Sequence, residues 1–365
     1  MSPSASNAPV LPEQFGPYRI VRPLGKGGMG AVYLARDTRL DRNVALKVCL
    51  LADNPQALER FRREAKAAAA LRHPNLCPVH EFDVRDGIAY LTMAFIEGPT
   101  LAQWAAEHPL NQKQAALLVA KLALAMQSAH DKGVIHRDLK PANIALDEKG
   151  EPVILDFGLA RLTEFHTRMT QQGAIFGTPA YMAPEQASGD PTTVGPAADQ
   201  YSLGVIFYEL LCGAVPFVGK PLILLFNTVN TAPVPPSQRN SAVDATLEAI
   251  CLRALAKKPE ERYPSLKVFA EELTKSARIL SKSGTLPRPA PSPFRETKTD
   301  SKQPEASQAP TLSPTLPTTA SARRQRASKP VRGRALGLTL IVLALVGLLL
   351  RRAAGTNLPA IQPSA

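Results

Sequence analysis

Between residues 136 and 143 the chain reads His-Arg-Asp-Leu-Lys-Pro-Ala-Asn. One acid, Asp138, stands two residues before a cation, Lys140, and five before an amide, Asn143. A carboxylate can orient an attacking hydroxyl and accept its proton. An ammonium can balance charge on a moving phosphoryl group, and an amide oxygen can bind a hard cation. Phosphoryl transfer asks the protein mainly to position reactants and neutralise charge, so this register suits it. A His-Arg-Asp tripeptide alone would be weak evidence. Eight residues in register are strong evidence when partner groups follow in order along the chain.

Those partners are present. Tyr18-Arg19-Ile20-Val21 alternates like a strand and leads into Gly25-Lys26-Gly27-Gly28-Met29-Gly30-Ala31-Val32. Glycines let the backbone approach phosphates and aim N–H groups at them. A plain hairpin or a dinucleotide loop could carry the same spacing, but a dinucleotide loop opens directly into a helix. Here Ala31 to Ala35 reads as a second strand instead. Another apolar run, Val44-Ala45-Leu46, ends in Lys47. Asn54-Pro55 then offers an N-cap and a first-turn proline, and Leu58, Phe61, Ala65 and Ala68 recur at helical spacing. Tyr90 to Ile96 reads as a strand running into a connector, and Gln112–Lys132 as a buried Ala/Leu-rich helix. Val153-Ile154-Leu155 is a strand that ends in Asp156-Phe157-Gly158, eighteen residues past Asp138.

In this order the stretches resemble the eukaryotic-like (Hanks-type) serine/threonine protein kinases of bacteria, from about Tyr18 to about Leu280. The resemblance implies an α+β, bilobal protein kinase fold over 15–280, with a small β-rich N-lobe carrying one regulatory helix and a larger helical C-lobe. It implies ATP and magnesium, or manganese in its place, as cofactors. Gly25, Lys26, Gly27, Gly28, Met29 and Gly30 would cover the phosphates, with Val32 and Ala45 against the adenine. Lys47 would hold the α- and β-phosphates with Glu64 as its ion-pair partner, Glu59 being the competing candidate. Met93 would be the gatekeeper, and Ala94, Phe95 and Ile96 the hinge that bonds adenine through its backbone; many relatives carry Glu where Ala94 stands. Asp138 would act as base and Lys140 as charge stabiliser, while Asn143 and Asp156 would hold the metal. Phe157 would pack under the regulatory helix, Asp199 would brace the catalytic loop, and Arg262 would pair with Glu185. His130 reads as structural. Lys140 with Thr178 implies Ser/Thr rather than Tyr specificity. Thr170, eight residues before Thr178, is the expected activating phosphorylation site, ahead of Thr167 and Thr163, with Arg137 as the cation that would receive its phosphate.

The net charge of +12 invites a nucleic-acid reading, so its location matters. Residues 281–334 carry eleven Lys/Arg against three Asp/Glu, and Arg351 and Arg352 add two more, which leaves only +2 for residues 1–280. The basic tail offers a single aromatic, Phe294, too little for base stacking, so no nucleic-acid partner is expected. Residues 281–334 also hold nine prolines and fifteen Ser/Thr, the composition of a disordered linker. Ala335 to Leu350 is sixteen uncharged, mainly apolar residues. As a helix they reach about 24 Å against a hydrocarbon core of about 30 Å, a shortfall that flanking Arg334, Arg351 and Arg352 can bridge by snorkelling. A single transmembrane helix is therefore expected, in contact with membrane lipid, with a short tail at 351–365 outside. The cationic N-terminal flank places the kinase domain on the cytoplasmic side of a bacterial inner membrane. Residues 1–14 read as a disordered leader without the apolar run of a signal peptide. Cys49, Cys77, Cys212 and Cys251 form no close pair and read as core residues of a reducing compartment. The expected activity is transfer of the ATP γ-phosphoryl group to Ser/Thr hydroxyls of proteins, including a second copy within a homodimer. A pseudokinase scaffold is the alternative. It would be favoured by loss of Lys47, Asp138, Asn143 or Asp156, and all four are present.

Overall fold

The computed structural model describes residues 11–27, 30–49, 55–156, 179–189 and 193–282. Six strands form one antiparallel sheet: β1 (Gln14–Phe15), β2 (Tyr18–Gly27), β3 (Gly30–Asp37), β4 (Arg42–Cys49), β5 (Val79–Arg85) and β6 (Ile88–Ala94), in the order β1-β2-β3-β4-β6-β5. Alternation along β4 assigns its faces. Val44, Leu46 and Val48 enter one buried cluster with Phe15, Tyr18 and Tyr90, whereas Ala45 and Cys49 belong to the larger core on the other side. Lys47 lies between Ala45 and Cys49 in sequence, so period two sends it to that second side. Helix α1 (Pro55–Ala69) covers this face, with Phe61 buried against Phe82 of β5 at 5.3 Å between ring centroids.

The larger lobe is helical. It contains α2 (Leu101–Glu107), α3 (Gln112–His130), α4 (Pro184–Ala187), α5 (Ala197–Cys212), α6 (Pro221–Asn230), α7 (Pro236–Arg239), α8 (Ala245–Ala254) and α9 (Leu266–Lys282), plus a hairpin of β7 (Ile144–Leu146) and β8 (Pro152–Ile154). Both α2 and α3 start with a reciprocal cap, Thr100 with Gln103 and Asn111 with Gln114. Every residue of α5 from Ala198 to Tyr208 is buried, which is what a helix apolar on all sides requires. Gly213, left-handed at φ 73°, ends it.

Two expectations change. Residues 11–14 fall within the expected leader, yet Leu11 is buried and Gln14 pairs with Arg19, so the fold starts ahead of Tyr18. The physical reason is that Leu11 and Phe15 complete the outer apolar cluster of the sheet. Residues 283–365, with the expected linker, apolar helix and tail, lie outside the described residues. Among the described residues no helix is long and apolar enough to cross a membrane. The four cysteines are free, and three of them are buried; burial pushes the Cys49 thiol up to about 11 and the Cys77 thiol up to about 12.

The most committed polar group in the C-lobe is Arg262, whose side chain is fully buried. It donates to both carboxylate oxygens of Glu185 at 2.7 and 2.8 Å and to the carbonyls of Ala197, Ala256 and Lys257. Replacing Arg262→Met strands a buried carboxylate, so a loss of about 3–5 kcal/mol is expected in urea unfolding. Adding Glu185→Leu should restore part of it; a single variant as stable as the parent would contradict the account.

Candidate active site

The catalytic loop is hung from Asp199, which is fully buried on α5. Its Oδ2 accepts from the backbone N–H of His136 at 2.9 Å, and its Oδ1 accepts from that of Arg137 at 2.8 Å. His130 Nε2 meets Oδ2 at 2.8 Å, which gives that histidine its structural role. His136 in turn donates from Nε2 to Leu155 O at 2.9 Å and accepts at Nδ1 from the Asp138 N–H at 3.2 Å. One tautomer serves both bonds and ties the loop to the residue before Asp156.

On this frame the functional side chains converge. Lys140 Nζ donates to Asp138 Oδ2 at 2.9 Å, and Asn143 Nδ2 donates to Asp138 O at 2.8 Å and Oδ2 at 3.2 Å. With its amide nitrogen spent on Asp138, Asn143 keeps its amide oxygen for a cation. The Leu155 N–H donates to Asn143 O at 2.8 Å, holding the metal-side amide beside the chain that ends in Asp156. Asp156 and Arg137 are both left-handed, at φ 52° and 64°. Such conformations cost on the order of 1–3 kcal/mol and persist where the surroundings fix them.

Lys47 reaches across from β4, and its ammonium is bonded to Asp156. Burial works against that charge, but the adjacent Asp156 carboxylate outweighs it, and the Lys47 pKa lies above the ordinary lysine value. Stability from this pair is therefore present below the unfolded lysine pKa and fades only as the pH rises beyond it. The expected Lys47–Glu64 pair is replaced: among the described residues, Glu64 Oε1 lies 3.7 Å from the Arg137 guanidinium and Lys47 pairs with Asp156. Two carboxylates compete for one ammonium here, and the left-handed turn at Asp156 brings the nearer one. Glu59 forms no ion pair with Lys47.

The nucleotide side is formed by the β2–β3 hairpin, β4 and β6. Gly25 pairs with Val32, Lys26 with Ala31, and Gly27 with Gly30, so the glycine segment is the hairpin end; Gly28 and Met29 lie outside the described residues. Gly30 cannot be replaced easily, because a Cβ there would sit 1.8 Å from Val48 O at φ 144°. Val32 pairs with Lys47, and Ala45 with Met93. Ala45 and Met93 are buried in the main core, with Val32 and Ile96 packed against it, and Phe95 and Ile96 leave β6 as irregular chain. Phe157, Thr163, Thr167, Thr170 and Thr178 fall outside the described residues.

The donor set fits a magnesium nucleotide. Magnesium is commonly held by one or two carboxylate or amide oxygens plus substrate phosphates, and Asp156 with Asn143 supplies that pair. Among the described residues no cluster of three or more His, Cys, Asp or Glu could hold a metal ion. Residues missed in the sequence also support the site. Buried Asn75 donates to Pro152 O at 2.7 Å, and its carbonyl accepts from the Ile154 N–H at 2.9 Å. Gln186 on α4 donates to Arg137 O at 2.9 Å. Single polar residues of this kind carry no periodic signal.

Comparison with known proteins agrees with this geometry. Residues 18–274 match the protein kinase domain, and the chain belongs to the protein kinase family. Within that family its curated relatives include bacterial serine/threonine-protein kinases. It is 43% identical over 248 residues to serine/threonine-protein kinase PknB of Mycobacterium leprae, covering 66% of this chain and 40% of that protein. Against serine/threonine-protein kinase Pkn1 of Myxococcus xanthus it is 41% identical over 273 residues, covering 73% of this chain and 39% of the other. The chain thus spans about two fifths of the length of the curated relatives it matches. The crystal structure of the Mycobacterium tuberculosis PknI kinase domain superposes with a TM-score of 0.57 at 31% identity, covering 74% of this chain and 99% of that one.

If Asp199 suspends the loop, Asp199→Asn should be costly despite its equal volume. One acceptor becomes a donor and faces a backbone N–H, for a loss of about 2–3 kcal/mol. A urea midpoint unchanged from the parent would show that the loop is held by something else.

Proposed function

We propose that this chain is a serine/threonine protein kinase that transfers the ATP γ-phosphoryl group to hydroxyls of proteins, its own included. The observation that carries the reading is the Asp138 carboxylate, held at once by Lys140 at 2.9 Å and by Asn143 at 3.2 Å, beside a Lys47–Asp156 pair. Asp138 orients the incoming Ser/Thr hydroxyl and takes its proton as the new O–P bond forms and the β–γ bridging O–P bond breaks. Lys140 balances the charge that builds on the phosphoryl group, and ADP leaves. Lys47 grips the α- and β-phosphates, and Asn143 with Asp156 would hold magnesium, which when bound neutralises phosphate charge. Lys140 with Thr178 supports Ser/Thr acceptors.

The finer reading places the catalytic domain at 15–280, a basic linker at 281–334 and a single membrane span at 335–350. Its support is the apolar run bracketed by arginines and the cationic flank, which put the kinase in the cytoplasm and against anionic lipid. Control is assigned to Thr170, with Thr167 and Thr163 behind it, because a phosphate there would find the Arg137 guanidinium.

Three measurements test this. Asp138→Asn should leave the melting temperature unchanged and cut phosphate transfer by about 10²–10⁴-fold, and Lys47→Met should also abolish turnover. Parent-like turnover in either sinks the mechanism. Thr170→Ala should lower autophosphorylation and activity; full activity would remove the control role. Deleting residues 331–365 should release an active kinase from membranes, and a full-length chain that stays in the soluble fraction after lysis would contradict the span.

A further inference from the structure

Gln186 is bonded at both ends of its side-chain amide, and the two partners belong to different parts of the site. Its Oε1 accepts from the backbone N–H of Ala183 at 3.0 Å, on the chain that has just left Pro179–Tyr181. Its Nε2 donates to the backbone carbonyl of Arg137 at 2.9 Å. Only one orientation of the amide serves an N–H and a carbonyl at once. The first bond is the return half of a helix cap at the start of α4. The second has no part in capping. It crosses forty-nine residues of sequence to the peptide that joins Arg137 to Asp138. The other end of that peptide, the Asp138 N–H, is held by His136 Nδ1 at 3.2 Å, the long end of the hydrogen-bond range. Gln186 itself has a firm footing. Glu185, just before it, is clamped by Arg262, and the loop ahead is fastened to α5 by Ser202 Oγ, which donates to Tyr181 O at 2.8 Å.

We propose that Gln186 is a positioning residue for phosphoryl transfer: its amide sets the Arg137–Asp138 peptide, and through it the direction in which the Asp138 carboxylate meets the acceptor hydroxyl. This deepens the kinase reading and rests on it. The Asp138 Cα directly follows that peptide, so a peptide free to rotate carries the carboxylate with it. Arg137 is left-handed, at φ 64°, and an arginine stays there only while its surroundings fix the chain on either side. Asp199 fixes the peptide before it, accepting from the Arg137 N–H at 2.8 Å. Gln186 fixes the peptide after it. Lys140 and Asn143 hold the carboxylate from residues that follow Asp138, whereas Gln186 holds the peptide that precedes it. Asp199 thus determines where the loop hangs, and Gln186 determines how the base is turned. A misplacement of about 1 Å at a reacting group can cost about 10²-fold in rate, so one bond to the base's own peptide has leverage. Both bonds of Gln186 go to backbone and neither goes to the groups assigned to the nucleotide. Its loss should therefore lower kcat and leave the KM for ATP in place.

The test uses the full-length chain in detergent with a short Ser/Thr peptide as acceptor. Gln186→Met keeps the volume and loses both bonds; kcat should fall at least about tenfold, with the KM for ATP within about twofold of the parent. In an Asp138→Asn background the same change should cost less than about twofold, because the group it positions is already gone. Gln186→Glu separates the link from the cap. Either form of the new carboxyl accepts from the Ala183 N–H, but only the protonated form can donate to Arg137 O. Ionisation sets two acceptors face to face, so activity is lost as the pH rises through the carboxyl pKa. The kcat of this variant relative to the parent should therefore increase at least about fivefold as the pH is lowered from about 9 to about 5. Urea midpoints report folding, and should Gln186→Met unfold, the pH ratio of Gln186→Glu and its own cost in the Asp138→Asn background decide. Parent-like kcat in Gln186→Met, a flat ratio for Gln186→Glu, or an undiminished cost in the Asp138→Asn background each overturns the proposal and leaves Gln186 a helix cap alone. A parent chain inactive on the peptide fails the kinase reading itself, a distinct result.

Discussion

One buried carboxylate orders the catalytic centre. Asp199 receives two consecutive backbone N–H groups, those of His136 and Arg137, together with the His130 ring. Backbone donors have no freedom to turn away, so the position of the loop follows from the position of α5, and α5 is fixed by burial on every side. A carboxylate inside a lobe is tolerable only when its oxygens are satisfied, and here the chemistry of the loop supplies that satisfaction. Asp138, the proposed base, then directly follows a fixed point, Arg137, instead of standing at the tip of a free turn.

Much of this was legible because it is periodic or rigidly spaced. The apolar spacing of Leu58, Phe61, Ala65 and Ala68 marks α1, and the apolar run that ends in Lys47 marks β4. The register from Asp138 to Asn143 puts three functional groups within reach of each other before any coordinates are known. What escaped the sequence has no such regularity. The left-handed backbone at Arg137 and Asp156 leaves no trace in composition, although Asp tolerates that region better than most residues. The exchange of ion-pair partners at Lys47 depends on which of several carboxylates is nearest in space. Nor does the sequence tell which apolar side chains of α6 meet water; the structure leaves Leu222 and Phe226 exposed.

The arrangement at Lys47 also describes what a nucleotide meets on arrival. With Asp156 on the ammonium and Glu64 near Arg137, each of the four charges already has a counter-charge. Phosphates and metal entering the cleft exchange partners with these groups instead of finding bare ones, so binding gains only the difference between two sets of ion pairs. A single lysine offered to Asp156, Glu64 and phosphate makes nucleotide binding and the position of α1 competing claims on one group.

Asn75, Leu76 and Cys77 add a mechanical consequence. This stretch follows α1 by only a few residues, and it is bonded to Ile154 of β8 on both sides: Ile154 N–H to Asn75 O, and Cys77 N–H to Ile154 O, each at 2.9 Å. Two residues beyond Ile154 stands Asp156. The tether of the helix and the root of the metal-side aspartate are thus parts of one splint. Any swing of α1 would have to pivot on the same rung that sets the height of Asp156. The root of α1 and the root of Asp156 thus share one support, a single rung on which both carboxylates are mounted.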